Sequence, residues 1–155
     1  MRVIIFIGLL ALTLSQNILA DDNEPFFPVI KIFSALSDFN TVGMKESVTN
    51  DFLLLEHGEI WDINVLASYA APSNVQRKNY FSLISSKVRR NIALINYWNK
   101  AKIKNGNSET VKAWLESVVV VKVDGIWKLQ QMHSTRVKLE NVPKSVKFIE
   151  RYTKT

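Results

Sequence analysis

Two residues carry the clearest capacity for chemistry, His133 and Glu116. His133 stands in "WKLQQMHSTR", residues 127–136, and is one of two histidines in the chain. A histidine beside a carboxylate can serve as a general base oriented by its partner, and the carboxylate raises the ring's pKa. Side chains alternate along a strand. A strand over residues 126–138 therefore puts Trp127, Leu129, Gln131, His133 and Thr135 on one face. Lys128, Gln130, Met132, Ser134, Arg136 and Lys138 fall on the other, wetter face. Asp124-Gly125 reads as a two-residue hairpin turn. Pairing across it matches residues whose numbers sum to about 249, which sets Glu116 opposite His133. The competing reading is a structural hydrogen bond that fixes the sheet. Asp51, at the start of an earlier strand, is the third catalytic candidate, and a cap or turn role competes with it. Glu56 and Glu59 flank His57-Gly58 and read as a solvated turn.

Around these groups stand residues expected to line a binding pocket: Trp61, Tyr97, Trp98, Trp114, Trp127, Leu129 and Gln131. Core packing is the alternative for the aromatic ones. Other chemistries lack their residues. There is no cysteine, which excludes thiol catalysis and Cys-type metal sites. The two histidines show no metal-ligand spacing. Five glycines form no phosphate loop, and no nucleophile elbow is present. The expectation is no metal, no cofactor, and acid–base work at most.

The elements that must position these groups follow from hydrophobic period. From Pro28, apolar Val29, Ile32, Phe33, Leu36 and Phe39 recur at helical spacing, with proline suited to a first turn. A short second helix is expected over residues 44–48. The stretch "NDFLLLEHGEIWD", residues 50–62, changes period and reads as a strand over 52–56, a turn, and a short return. Asp62 caps a helix through Val65, Leu66 and Tyr69. Strands are expected over 80–88, 92–103, 110–123 and 126–138, joined by tight turns. Pro143 starts a basic tail, with a last outer helix expected near 144–152. Long strands on short turns require a strongly bent antiparallel sheet, and the apolar helical stripe must pack on it. The expected class is α+β: N-terminal helices on a bent sheet that forms a cone with an internal cavity, a natural small-molecule site.

The chain has 155 residues. Residues 1–20 have the basic start, short apolar run and small residue at the end that mark a secretory signal peptide rather than a membrane span. Residues 21–27 then form a polar leader, 28–140 the domain and 141–155 the basic tail. The expected location is periplasmic or secreted. An exported domain of this size needs no disulfide. Charge is uneven. Residues 21–62 hold two bases and nine acids, and residues 63–155 hold seventeen bases and five acids. A solvated basic face is the plain reading, and lipid headgroups or an acidic protein are the anionic partners it would suit. Export argues against nucleic acid.

The stretches "NDFLLLEHGEIWD", "ALINYWNKAKIKNG" and "WLESVVVVKVDGIWKLQQMHSTR" also resemble the nuclear transport factor 2-like superfamily, the SnoaL-like or cystatin-like α+β cones. The resemblance covers residues 28–138 and is closest to small exported members of unassigned function. It implies the cone fold. It does not choose an activity, because the superfamily holds isomerases, cyclases, dehydratases and hydrolases beside binding and assembly domains. Three readings follow. The first is a binding protein that holds a small, partly apolar molecule in the cone. The second is a cofactor-free isomerase, cyclase, dehydratase or hydrolase using His133 with Glu116 or Asp51. The third is an interaction module that forms a homodimer through its sheet.

Overall fold

The computed structural model describes residues 23–155. The expected signal peptide and the acidic pair that follows it lie outside the described residues. Helix α1, Phe27–Ser37, carries proline in its first turn and buries Val29, Ile30 and Ile32. Helix α2, Thr41–Glu46, starts three residues earlier than expected because Asn40 caps it, accepting a bond from the Gly43 amide. Strand β1, Val48–Glu56, and the three-residue β2, Glu59–Trp61, form the expected hairpin. Asp62 caps α3, Ile63–Ser68, through the amides of Asn64 and Val65.

Four long strands follow: β3 Val75–Arg89, β4 Ile92–Asn105, β5 Ser108–Val123 and β6 Ile126–Val137. Asp124 and Gly125 both have positive φ, 50° and 84°, the backbone of a primed turn whose twist matches the strands it joins. A two-residue strand β7, Ile149–Glu150, pairs with β3. The tail is therefore extended rather than helical. It runs back over α1, where the Thr153 amide donates to Ser34 Oγ and the Tyr152 hydroxyl to Asp38.

The seven-stranded sheet has the order β2-β1-β6-β5-β4-β3-β7. All pairs are antiparallel except β1 with β6, which is parallel. The class is α+β as expected, and the helices pack on the concave face of the curled sheet. At one end of that face Phe26, Tyr97, Phe81, Val120 and Leu129 join the buried core. Phe26 meets Tyr97 edge-on, with ring centres 4.9 Å apart. Among the described residues, no helix is long and apolar enough to cross a membrane.

One local feature decides the site. Between Val123↔Ile126 and Val120↔Leu129 the β5–β6 register follows the expected arithmetic. The next pair is Val119↔Gln131, so Gln130 is an extra residue on β6. This is a β-bulge, with two residues opposite one. Beyond it every inward position on β6 shifts by one. Trp127 and Leu129 point inward before the bulge, and Met132 and Ser134 after it.

Candidate functional site

The wide end of the concave face keeps a cavity of about 320 Å3. Its floor is Glu116, 4% exposed, on the inner face of β5. The carboxyl accepts hydrogen bonds from Ser134 Oγ at 2.9 Å and Asn99 Nδ2 at 3.2 Å. The Tyr97 hydroxyl faces the same carboxyl without a hydrogen bond of regular geometry. Burial pushes the Glu116 pKa up to about 7, the surrounding hydroxyl and amide donors pulling back against it. The same burial, together with Glu116 close by, pushes the Tyr97 phenol far upward. Asn99 Oδ1 is buried at this floor with no protein partner among the described residues.

Above the floor stands Trp114, whose indole N–H donates to Glu56 Oε1 at 3.0 Å. Two guanidinium groups lie against its ring, Arg77 at 5.8 Å and Arg136 at 4.8 Å from the ring centre. Arg77 is on the inner face of β3. Its Nε donates to Asn79 Oδ1, and the Asn79 amide in turn holds the C-terminal turn of α1 through Phe33 O and Ser37 Oγ. Burial lowers the Arg77 pKa to about 10, with Glu116 and Glu56 opposing the shift. The head remains charged at any ordinary pH. The remaining wall is apolar: Ile32, Phe33 and Leu36 from α1, Met44 from α2, Leu54 from β1 and Met132 from β6. At the rim Trp61 stacks on Tyr69, with ring centres 5.1 Å apart. His57, in the β1–β2 turn with φ 54°, also borders the opening.

The structure brings together only part of the expected site. Glu116, Trp114 and Trp61 line the cavity. His133 does not. It is exposed on the outer face and pairs with Ser117, because the Gln130 bulge turns it outward and sets Ser134 opposite Glu116. Gln131 is turned outward by the same slip. Asp51 is exposed on the outer side of β1, where Gln130 Nε2 donates to it. Trp98 alternates with the inward Tyr97 and Asn99 and so lies on the outer face. Tyr97, Trp127 and Leu129 face inward but belong to the packed end, and the Trp127 indole is tied to Asn23 O.

Arg77, Arg136, Glu56, Asn99 and Ser134 were not expected in the site. Arg77 had a readable signal, since counting back from Phe81 by twos gives Asn79 and Arg77. The sequence pattern alone places the start of that strand at residue 80. Arg136 and Ser134 had none, because the bulge hides their true facing. Among the described residues no group of three or more His, Asp or Glu could hold a metal ion.

No family model matches the chain, and no curated protein does. Solved structures do. A nuclear transport factor 2-like protein from Cytophaga hutchinsonii matches with a TM-score of 0.61 and 12% identity, over 72% of this chain and 94% of that one. A ketosteroid isomerase-like protein from Erwinia carotovora atroseptica matches with a TM-score of 0.57 and 14% identity, over 72% and 92%. The association domain of CaMKII from C. elegans matches with a TM-score of 0.55 and 15% identity, over 67% and 86%. At these identities the likeness establishes the fold, and the fold is the nuclear transport factor 2-like cone.

Proposed function

We propose that this is a small-molecule-binding protein that holds its ligand in the wide end of the cone. One observation carries the reading. The cavity joins an apolar wall to a floor of polar groups, and one buried atom there, Asn99 Oδ1, lacks a protein partner among the described residues. Buried polar atoms are rarely left unpaired, so a bound molecule or water is expected to complete it. A volume of about 320 Å3 is near the lower end of the range for small-molecule sites, which favours a compact ligand. Any reaction here would turn on Glu116, the inward carboxyl with a pKa near neutrality, since His133 is on the opposite face. Native mass spectrometry of protein purified from its source should show a retained small molecule. A Leu54→Trp variant that fills the cavity should lose it. An empty wild-type protein that also binds nothing in a fragment screen would sink the reading.

Export belongs to the same proposal, and it rests on the apolar run near the N-terminus. Intact-mass measurement of protein from the native source should show loss of about the first twenty residues. Retention of residue 1 would remove it.

A second reading adds a second copy of the chain. The outer face of β4 and β5 carries Ile92, Leu94 and Leu115 at 50%, 54% and 39% exposure. Trp98 and Val119 lie beside them through the Trp98↔Leu115 and Leu94↔Val119 pairs. An apolar patch on a central sheet face suits burial against a copy of itself. Sedimentation should give a dimer for the native chain and a monomer for Leu94→Lys. A native chain that stays monomeric at high concentration rejects it.

A further inference from the structure

We infer that the cone cavity takes a compact monocarboxylate with an apolar body, its carboxylate held by Arg77 and Arg136 beside Trp114. The inference rests on the binding reading above and names the ligand class. Its first support is the state of the two guanidiniums. Among the described residues, neither has a carboxylate oxygen within ion-pair distance. Arg77 spends only its Nε on the protein, on Asn79. Among the described residues no protein acceptor stands within hydrogen-bond distance of its two terminal nitrogens or of Arg136, and both side chains line the cavity. For Arg77, withdrawn from water, free donors are costly unless an acceptor reaches them, while Arg136 is exposed. A guanidinium fork matches a planar oxyanion in particular.

The nearby carboxyls do not fill this role. Glu116 is satisfied by Ser134 and Asn99, and its burial favours the neutral form. Glu56 is held by the Trp114 indole and lies 3.5 Å from His57. Both acids act on Arg77 through space, and neither forms an ion pair with it. The Trp114 ring, against which both guanidiniums lie, supplies a flat apolar surface beside the anion.

Charge counts set the valence. The charged groups that border the cavity are Arg77 on β3, Lys112 and Glu116 on β5, Arg136 on β6 and Glu56 on β1, with His57 at the rim. Three bases stand against Glu56 alone while Glu116 holds its proton, and against both acids once it ionises. A monoanion is offset in either state, whereas a dianion is offset only while Glu116 stays neutral. The rest of the ligand meets Leu36, Met44, Leu54 and Met132, and the Trp61–Tyr69 stack closes over it. Apolar walls with a few placed polar groups are what a specific small site needs.

The test uses the full purified chain with three probes: benzoate, its neutral isostere benzamide, and dianionic phenyl phosphate, by calorimetry and tryptophan fluorescence. Benzoate should bind at least tenfold more tightly than either of the others. R136Q, at an exposed strand end, should keep its fold and lose benzoate affinity about tenfold or more. R77M should lose it too, and a circular dichroism melt checks that it remains folded. Equal benzoate affinity in R136Q and the native chain would overturn the inference, as would benzamide binding as well as benzoate. If benzamide binds and benzoate does not, the cavity reading stands and the anion site falls. If no probe binds, the anion site falls, and the cavity reading falls with it only if the purified protein also retains no small molecule and binds nothing in the fragment screen.

Discussion

The two ends of the concave face are built from the same strands and do opposite work. At the closed end β4, β5 and β6 contribute Tyr97, Val120, Trp127 and Leu129, none more than 6% exposed, and none of them lines the cavity. At the open end the same three strands contribute Asn99, Glu116, Ser134 and Arg136, and a cavity of about 320 Å3 remains. The change falls at the Gln130 bulge of β6. With an unbroken strand, the inward residues beyond Leu129 would be Gln131, His133 and Thr135, and Arg136 would face water. The bulge replaces that set with Met132, Ser134 and Arg136. One added residue thus exchanges an imidazole site for a guanidinium site and gives Glu116 a hydroxyl partner. Bulges re-aim side chains in this way because the pleat has a period of two.

Four substitutions test this division between ends. The largest effect is expected at the closed end. Leu129→Ala removes a fully buried side chain and should cost about 2–5 kcal/mol in urea unfolding. Probe binding in the surviving folded protein should be nearly unchanged, and a large affinity loss would show that the two ends are not separate.

At the open end the sign reverses. Glu116 has a folded pKa of about 7 against an ordinary value of 4.5. The folded state therefore holds the proton more strongly. Stability is highest below the unfolded value, falls as pH rises through the window between the two, and is level above it. Glu116→Gln removes that loss. It should stabilise the protein by ~1–3 kcal/mol at pH 8 and by much less at pH 5. An equal difference at both pH values would contradict a buried, proton-holding carboxyl.

Trp61→Ala, at the rim, should weaken benzoate binding about threefold to tenfold through loss of the Tyr69 stack. Its cost in unfolding free energy should stay below about 1 kcal/mol, since Trp61 is only half-buried. The smallest effect belongs to His133→Ala. On the outer face it should change stability by no more than about 0.5 kcal/mol and leave binding unaltered. A His133→Ala variant with impaired binding would return the imidazole to the site.

Much of this architecture is legible in the chain because local signals agree with one another. Proline in the first turn and apolar helical spacing give α1, Asp62 gives the α3 cap, and Asp124-Gly125 gives the β5–β6 hairpin. These are short-range preferences, and nothing tertiary opposes them. The expected inward facing of Glu116 and Trp114 depends only on alternation within β5, which has an unbroken register against β4. What depended on the longer β6 count failed, and the failure begins at one residue. The tail helix failed for a different reason. Residues 149–150 find an open edge on β3, and pairing there outweighs a weak helical pattern.

The sequence by itself determined the helices, the turns, the bent sheet and a carboxyl at its centre, because period and turn chemistry are local properties. Tertiary structure alone decided which side chains meet that carboxyl. Whether Gln130 is accommodated as a bulge depends on how β6 fits between β5 and the parallel β1, where Leu129 pairs with Val48 and Met132 with Leu54. Neither strand's own sequence contains that fit. It sets Arg136 rather than His133 beside Trp114, and with Arg77 it makes the open end of the cone a place for an anion.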